Sequence, residues 1–112
     1  MKREMKSSTR IADTTTIVDV AGEIDLGSSP ALRKTLMDLL QTTEHLAINL
    51  SGVRYIDSSG IASLVEVLQG ARKAKKRVVL YGVTPAVMQV LQLTRLTGVF
   101  EIFGTEEQML QS

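Results

Sequence analysis

Apolar residues along the chain follow two different spacings, one typical of β-strands and the other typical of α-helices. Short apolar runs at 45–50, 77–82 and 99–103 each predict one strand. The segment 8–24 predicts two short strands or one hairpin. Because the run at 77–82 is apolar throughout, we expect that strand to be covered on both faces.

Three further segments repeat apolar residues at helical spacing. The first helix is predicted to have Ser29 as its N-cap and Pro30 at its first position, where the missing N–H costs nothing. The second is predicted to start at Ser59 and to end in a basic run, since cations favour a helix C-terminus. The third has a start signal at Thr84, and Gly98 is the residue predicted to terminate it.

Strands that alternate with helices predict an α/β protein in which helices cover a small sheet. The last residues, 105–112, predict a short helix or a tail. Right-handed crossovers place the strand-to-helix turns of parallel strands along one edge of the sheet, which is where α/β proteins usually carry their function. The polar turns at 22–30 and 56–60 are therefore predicted to lie side by side.

Composition narrows the classes of function that fit. A chain of 112 residues with a net charge of +1 predicts one soluble domain with no field that would attract nucleic acid. Aromatic residues make up only 4%, so few side chains are available to stack on bases. No apolar stretch is long enough for a signal peptide or a membrane span, and the absence of cysteine fits a reducing cytoplasm.

The turn "IDSSG" carries the main candidate chemistry, and it has two interpretations. Asp57 or Ser58 can accept hydrogen bonds from the free N–H groups that open the following helix, which is the commoner use of such residues. Alternatively, a serine here is a site of phosphorylation, because a phosphate at a helix N-terminus is expected to meet free backbone donors. The added negative charge beside Asp57 and Asp25 would then repel a docked partner. The local pattern leaves both open.

Catalysis has little support in the sequence, and we predict that the chain is not an enzyme. The G-x-S-x-G turn of serine hydrolases fails because Ile56 and Asp57 precede the serines. The one histidine, His45, is expected to be a solvated strand-edge residue rather than a general base. Neither glycine-rich segment forms a phosphate loop, and no cluster of His, Asp and Glu suggests a metal. No cofactor is therefore expected.

Three stretches together resemble one known family: "AGEIDLGSSPALRKTL", "LAINLSGVRYIDSSGIASLVEVLQGARK" and "VLYGVTPAVMQVLQLTRLTGVFEI". They are similar to the STAS domain, and most similar to the stand-alone bacterial anti-sigma factor antagonists. The resemblance covers about residues 8–108 and implies that 1–112 is a single STAS domain. It also implies a small mixed sheet of four to five strands, with about four helices packed mainly on one face.

The resemblance implies a partner-switching function. Such an antagonist binds an anti-sigma factor that is also a serine kinase, is released when that kinase phosphorylates it, and is reset by a PP2C-like phosphatase. ATP and Mg²⁺ would belong to the kinase. By position the phosphoacceptor is Ser58, and helix positions after it would be exposed to the partner. The implied partner-binding residues are Asp25, Asp57, Ser58, Ser59, Gly60, Ala62, Ser63 and Glu66. No direct nucleic-acid contact is expected, and the chain would be a monomer or a weak dimer.

One departure from the family pattern keeps an alternative open. Many antagonists have glycine two residues after the D-S-S-G glycine, where this chain has Ala62. Alanine there also occurs in other bacterial signalling antagonists and in STAS subunits of ABC-type lipid transport complexes, where Ser58 would act only as a helix cap. Those transport subunits often replace the acceptor serine, which this chain keeps.

Overall fold

The computed structural model describes residues 4–112, which form a five-stranded sheet and four helices. The strands are β1 (Met5–Ala12), β2 (Thr15–Ile24), β3 (His45–Ile56), β4 (Arg77–Tyr81) and β5 (Glu101–Phe103). The helices are α1 (Ser29–Leu40), α2 (Ser58–Lys73), α3 (Pro85–Leu93) and α4 (Glu106–Leu110). None of the helices within this part of the chain is long and apolar enough to cross a membrane.

The sheet is mixed, as predicted, and its strands are ordered β1-β2-β3-β4-β5. β1 and β2 form an antiparallel hairpin, whereas β2 to β5 run parallel. Each parallel connection passes through a helix, and right-handed crossovers in this order bring α1, α2 and α3 to the same face. The α/β class is confirmed, and of the two alternatives for 8–24, two short strands or one hairpin, the hairpin forms.

Two apolar clusters lie on opposite faces of the sheet. The larger cluster packs β2, β3 and β4 against α1, α2 and α3. The smaller one lies on the other face, where Met109 of α4 packs with Ile17, Ala47 and Val79. Every residue of β4 after Arg77 is buried, which confirms that this strand is covered on both faces.

His45 is not the solvated edge residue that the sequence suggested. It begins β3, the central strand, and is half-buried. Its Nδ1 lies 3.1 Å from the hydroxyl of Thr15, while its Nε2 is buried without a hydrogen-bond partner among the described residues. Burial, helped by the nearby charge of Arg77, holds the pKa of His45 below its usual value.

Three helix ends differ from the prediction. α2 begins at Ser58, one residue before the predicted start at Ser59. The N-cap of α1 is Ser28, and Ser29 is a buried residue of the first turn. The Ser28 hydroxyl donates to the carbonyl of Glu23 instead of capping the helix, so it stabilises the turn that precedes α1. The C-cap of α3 is Thr94, well before Gly98, because Arg95 takes a left-handed conformation with φ 60°. Thr84 does cap α3 as predicted.

Candidate functional site

The ends of β2 and β3 bring the two polar turns together, as the sequence predicted. Ile24 and Ile56 are register partners in the parallel pair. One residue further on, the N–H of Asp57 donates to the carbonyl of Ile24 at 3.1 Å. The start of α2 is therefore fixed against the end of β2, and the turn that leads to α1 lies beside it.

Asp57 is the N-cap of α2 and holds an extended conformation. Its Oδ1 accepts hydrogen bonds from the N–H groups of Ser59 at 3.0 Å and Gly60 at 3.1 Å, and from the Ser59 hydroxyl at 2.5 Å. Burial alone would raise the pKa of Asp57, but these bonds and one from the N–H of Leu26 outweigh it and lower the pKa. The capping interpretation is correct for Asp57, whose carboxylate also ties the two turns together.

The two adjacent serines have different environments. Ser58 is the first residue of α2 and is exposed. Its hydroxyl takes part in none of the side-chain hydrogen bonds found between residues 4 and 112. Ser59 is half-buried, and its hydroxyl lies between the Asp57 carboxylate and the hydroxyl of Ser29, 3.3 Å away. Ser29 itself is 3% exposed.

This arrangement corrects one expectation about phosphorylation. The sequence suggested that a phosphate on Ser58 would meet free donors at the start of α2. The N–H groups of Ser59 and Gly60 are instead taken by the Asp57 side chain, and that of Ile61 by the Asp57 carbonyl. A group added to Ser58 would therefore project into solvent beside a carboxylate, and these three N–H groups would not be available to bind it.

Asp25 stabilises its own turn. Its Oδ1 accepts hydrogen bonds from the N–H groups of Gly27 at 3.0 Å and Ser28 at 3.1 Å. No hydrogen bond between the described residues joins Asp25 to Ser58. The two residues share one edge of the sheet, and Asp25 adds negative charge to that edge.

The remaining predicted partner-binding residues divide into buried and exposed positions. Ala62 and Glu66 are exposed on α2, and Glu66 lies 3.4 Å from Arg33 of α1. The expectation that Ser63 is exposed was wrong: it is 7% exposed, and its hydroxyl donates to the carbonyl of Ser59, one turn earlier. Gly60 is also buried, so its side-chain position faces the core and not a partner.

Sequence reasoning overlooked two residues of this edge. Leu26 is 74% exposed, although it is a large apolar residue, and its N–H bonds to the Asp57 carboxylate. The signal was an apolar residue in an otherwise polar turn, "DLGSS". Ser29 gave no such signal, because its contact with Ser59 joins residues 30 positions apart.

The site has an exposed hydroxyl and fixed negative charge, but the described residues place no titratable base in hydrogen-bond contact with the Ser58 hydroxyl. No group of three or more His, Asp and Glu residues able to hold a metal occurs within residues 4–112. The chemistry that this geometry supports is the acceptance of a group from outside and the docking of a partner.

The amino-acid sequence was compared with known protein families, and the comparison identifies the family of this protein. The model of the STAS domain matches residues 6–109. This chain belongs to the STAS domain family. Among its relatives, the anti-sigma-B factor antagonist of Listeria monocytogenes is 32% identical over 92 residues, which are 80% of this STAS protein and 80% of the relative.

Solved structures of antagonists share its fold. The anti-sigma factor antagonist from Mycobacterium paratuberculosis superimposes with a TM-score of 0.84 at 26% identity, covering 96% of this STAS protein and 92% of that chain. The Bacillus cell fate determinant SpoIIAA in its phosphorylated form gives a TM-score of 0.73 at 17% identity, covering 95% and 97%. The second likeness shows the fold alone.

Proposed function

We propose that this STAS protein is an anti-sigma factor antagonist that binds an anti-sigma factor with serine kinase activity and is released when Ser58 is phosphorylated. The observation that carries the proposal is the Ser58 hydroxyl, which is exposed at the edge where two turns meet and makes no side-chain hydrogen bond to any residue in 4–112. An anti-sigma-B factor antagonist at 32% identity supports it.

The proposed release follows from charge. A phosphoserine carries roughly −1.5 to −2 charges at neutral pH. At a separation of about 6 Å and an effective dielectric near 20, each added unit charge interacts with a carboxylate by roughly 3 kcal/mol before screening. Asp57 supplies one such carboxylate, and an acidic or apolar partner surface would suffer a comparable penalty. Because Asp57 keeps the cap of α2, the domain would stay folded while the complex dissociates.

The proposed partner-binding surface consists of Asp25, Asp57, Ser58, Ala62 and Glu66, and the inward-facing Ser59 and the buried Gly60 lie beneath it. Ala62, Glu66 and Ser58 are exposed to a partner, whereas Gly60 and Asp57 hold the surface in shape. In this proposal the chain is a cytoplasmic acceptor and not an enzyme, ATP and Mg²⁺ come with the kinase, and a PP2C-like phosphatase removes the phosphate. A transport-complex subunit in which Ser58 only caps α2 is disfavoured, because Asp57 is the cap.

The test is phosphorylation and binding with the anti-sigma factor kinase encoded by the same organism. With ATP and Mg²⁺ it should add one phosphate, and Ser58→Ala should abolish it. Ser58→Asp should weaken binding of the kinase about ten-fold or more, with little change in thermal stability.

The matched control is Gln69→Glu, which adds one negative charge on the exposed side of the same helix, about 16 Å along its axis. Its affinity for the kinase should stay close to that of the unmodified protein. Undiminished labelling of Ser58→Ala would assign the wrong acceptor. Equal loss of binding in both charge variants would mean that the edge around Ser58 is not the interface.

A further inference from the structure

Ser58 and Ser59 are neighbours in sequence and carry the same hydroxyl, yet their hydroxyls are not equivalent. The Ser58 hydroxyl is exposed at the first position of α2. The Ser59 hydroxyl points inward and is engaged on both sides, donating to Asp57 and accepting from Ser29. These contacts distinguish two candidate acceptors that local sequence alone cannot separate.

The hydrogen bonds of Ser59 form a continuous series from the buried Ser29 to the helix cap at Asp57. Ser29, 3% exposed at the start of α1, donates to the Ser59 oxygen at 3.3 Å. Ser59 donates in turn to Asp57 at 2.5 Å, and the same carboxylate oxygen accepts the N–H of Ser59. A bond to a charged acceptor is among the stronger hydrogen bonds, so this hydroxyl is held firmly.

We propose that Asp57 and Ser29 are positioning residues that reserve Ser58 as the phosphate acceptor by holding the Ser59 hydroxyl inward. This inference rests on the proposed function, since it concerns the choice of acceptor at the same site. Neither residue touches the transferred phosphoryl group. They act by keeping the neighbouring hydroxyl turned inward and engaged in hydrogen bonds, away from an approaching kinase.

The chemistry of phosphoryl transfer explains why the hydrogen bonds of Ser59 matter. The acceptor oxygen forms a bond to the γ-phosphorus of ATP, the bond from that phosphorus to the β-phosphate oxygen breaks, and ADP leaves. The hydroxyl proton passes to the base of the kinase. The Ser59 proton is already donated to Asp57, and one lone pair of its oxygen is occupied by Ser29. A phosphate there would also place its charge against the Asp57 carboxylate and disrupt the cap.

The experiment maps phosphate by mass spectrometry after incubation with ATP, Mg²⁺ and an extract of the organism's own cells. The unmodified protein should carry phosphate on Ser58, with less than about one-hundredth as much on Ser59. Ser58→Ala should carry no more than that low background on Ser59. Adding Asp57→Ala to Ser58→Ala should raise labelling of Ser59 by roughly ten-fold or more above that background, since a charge-assisted hydrogen bond is lost.

A conservative variant separates positioning from simple loss of stability. Asparagine at position 57 can still accept the N–H groups and the Ser59 hydroxyl, so Asp57→Asn combined with Ser58→Ala should leave Ser59 unlabelled. Ser29→Ala combined with Ser58→Ala should give a smaller gain on Ser59, because only one of its two contacts is removed. Circular dichroism at the reaction temperature confirms that each variant is folded.

A second readout needs no kinase. In NMR spectra the Ser59 hydroxyl proton should exchange with water at least ten-fold more slowly than that of Ser58, and Asp57→Ala should remove the difference. Equal exchange of the two hydroxyls in the unmodified protein, or no labelling of Ser59 in the folded double variant with Asp57→Ala, would overturn the inference. Absence of any phosphate on the unmodified protein would instead overturn the proposed function, and the inference with it.

Discussion

Gly60 is the residue at which a single added methyl group should matter most for the shape of the site. A Cβ atom there would lie 2.6 Å from Cγ1 of Ile56 and 2.7 Å from Cγ2 of Ile24. Carbon atoms in contact prefer about 3.5–4.0 Å, so both side chains would have to move by about 1 Å. Ile24 is 0% exposed and Ile56 is 3% exposed, which leaves them little room to do so.

The magnitude follows from two opposing effects of Gly60→Ala. Overpacking of a well-packed core costs roughly 1–3 kcal/mol. Alanine offsets at most about 1 kcal/mol through its better helix propensity. The free energy of unfolding should therefore fall by roughly 1–2 kcal/mol.

The same helix offers a matched control at Gly70. A Cβ there would meet Cε of Met37 at 2.9 Å and its Sδ at 3.2 Å, which belong to the flexible end of a half-buried side chain. Because methionine can move aside, Gly70→Ala should be neutral or stabilise the protein by up to about 1 kcal/mol.

Urea denaturation at 25 °C, followed by circular dichroism, measures both variants, and equal slopes show that the unfolded states are comparable. The two free energies of unfolding should differ by roughly 2 kcal/mol. If Gly60→Ala proved as stable as Gly70→Ala, the close packing of α2 against Ile24 and Ile56 would not hold the helix start in place, and our account of how Ser58 is positioned would be wrong.

Three other predictions concern backbone conformation and pH. Lys75 follows α2 with φ 58°, so Lys75→Gly should stabilise the protein by roughly 0.5–1 kcal/mol in urea titrations, whereas Lys73→Gly inside the helix should destabilise it. Folding lowers the pKa of Asp57, so its charge stabilises the protein above its unfolded pKa of about 3.9. The unmodified protein should therefore have a larger free energy of unfolding than Asp57→Asn, and this difference should disappear as pH falls below about 4. A constant difference down to pH 2 would contradict the prediction. Burial lowers the pKa of His45, so folding favours the neutral form and stability should fall as pH drops through about 6.5. In thermal melting between pH 7.5 and 5, His45→Gln should reduce the dependence of the melting temperature on pH. An unchanged pH dependence would show that His45 is not its cause.

Much of the fold was predictable because the relevant signals are local. Alternating and helical spacings of apolar residues report which side of each element is buried, so they predicted the hairpin, the order of strands and helices and the burial of β4 on both faces. Local capping rules predicted that Asp57 or Ser58 would cap α2, and the structure selects Asp57. The adjacency of the turns at 22–30 and 56–60 was predictable because parallel strands end at the same edge of a sheet.

The chain by itself therefore determined that an acid and two serines open a helix beside a second polar turn. Only the tertiary structure decided which serine hydroxyl is exposed and which is engaged, because Ser29 reaches Ser59 across 30 residues and no local rule describes that contact. Tertiary packing also turned Ser63 inward and placed His45 in the central strand. For Ser59 the physical reason is that the direction of a polar side chain depends on which distant partner can satisfy its hydrogen bonds. Ser63 and His45 are instead positioned by the packing of their helix and strand against the rest of the fold.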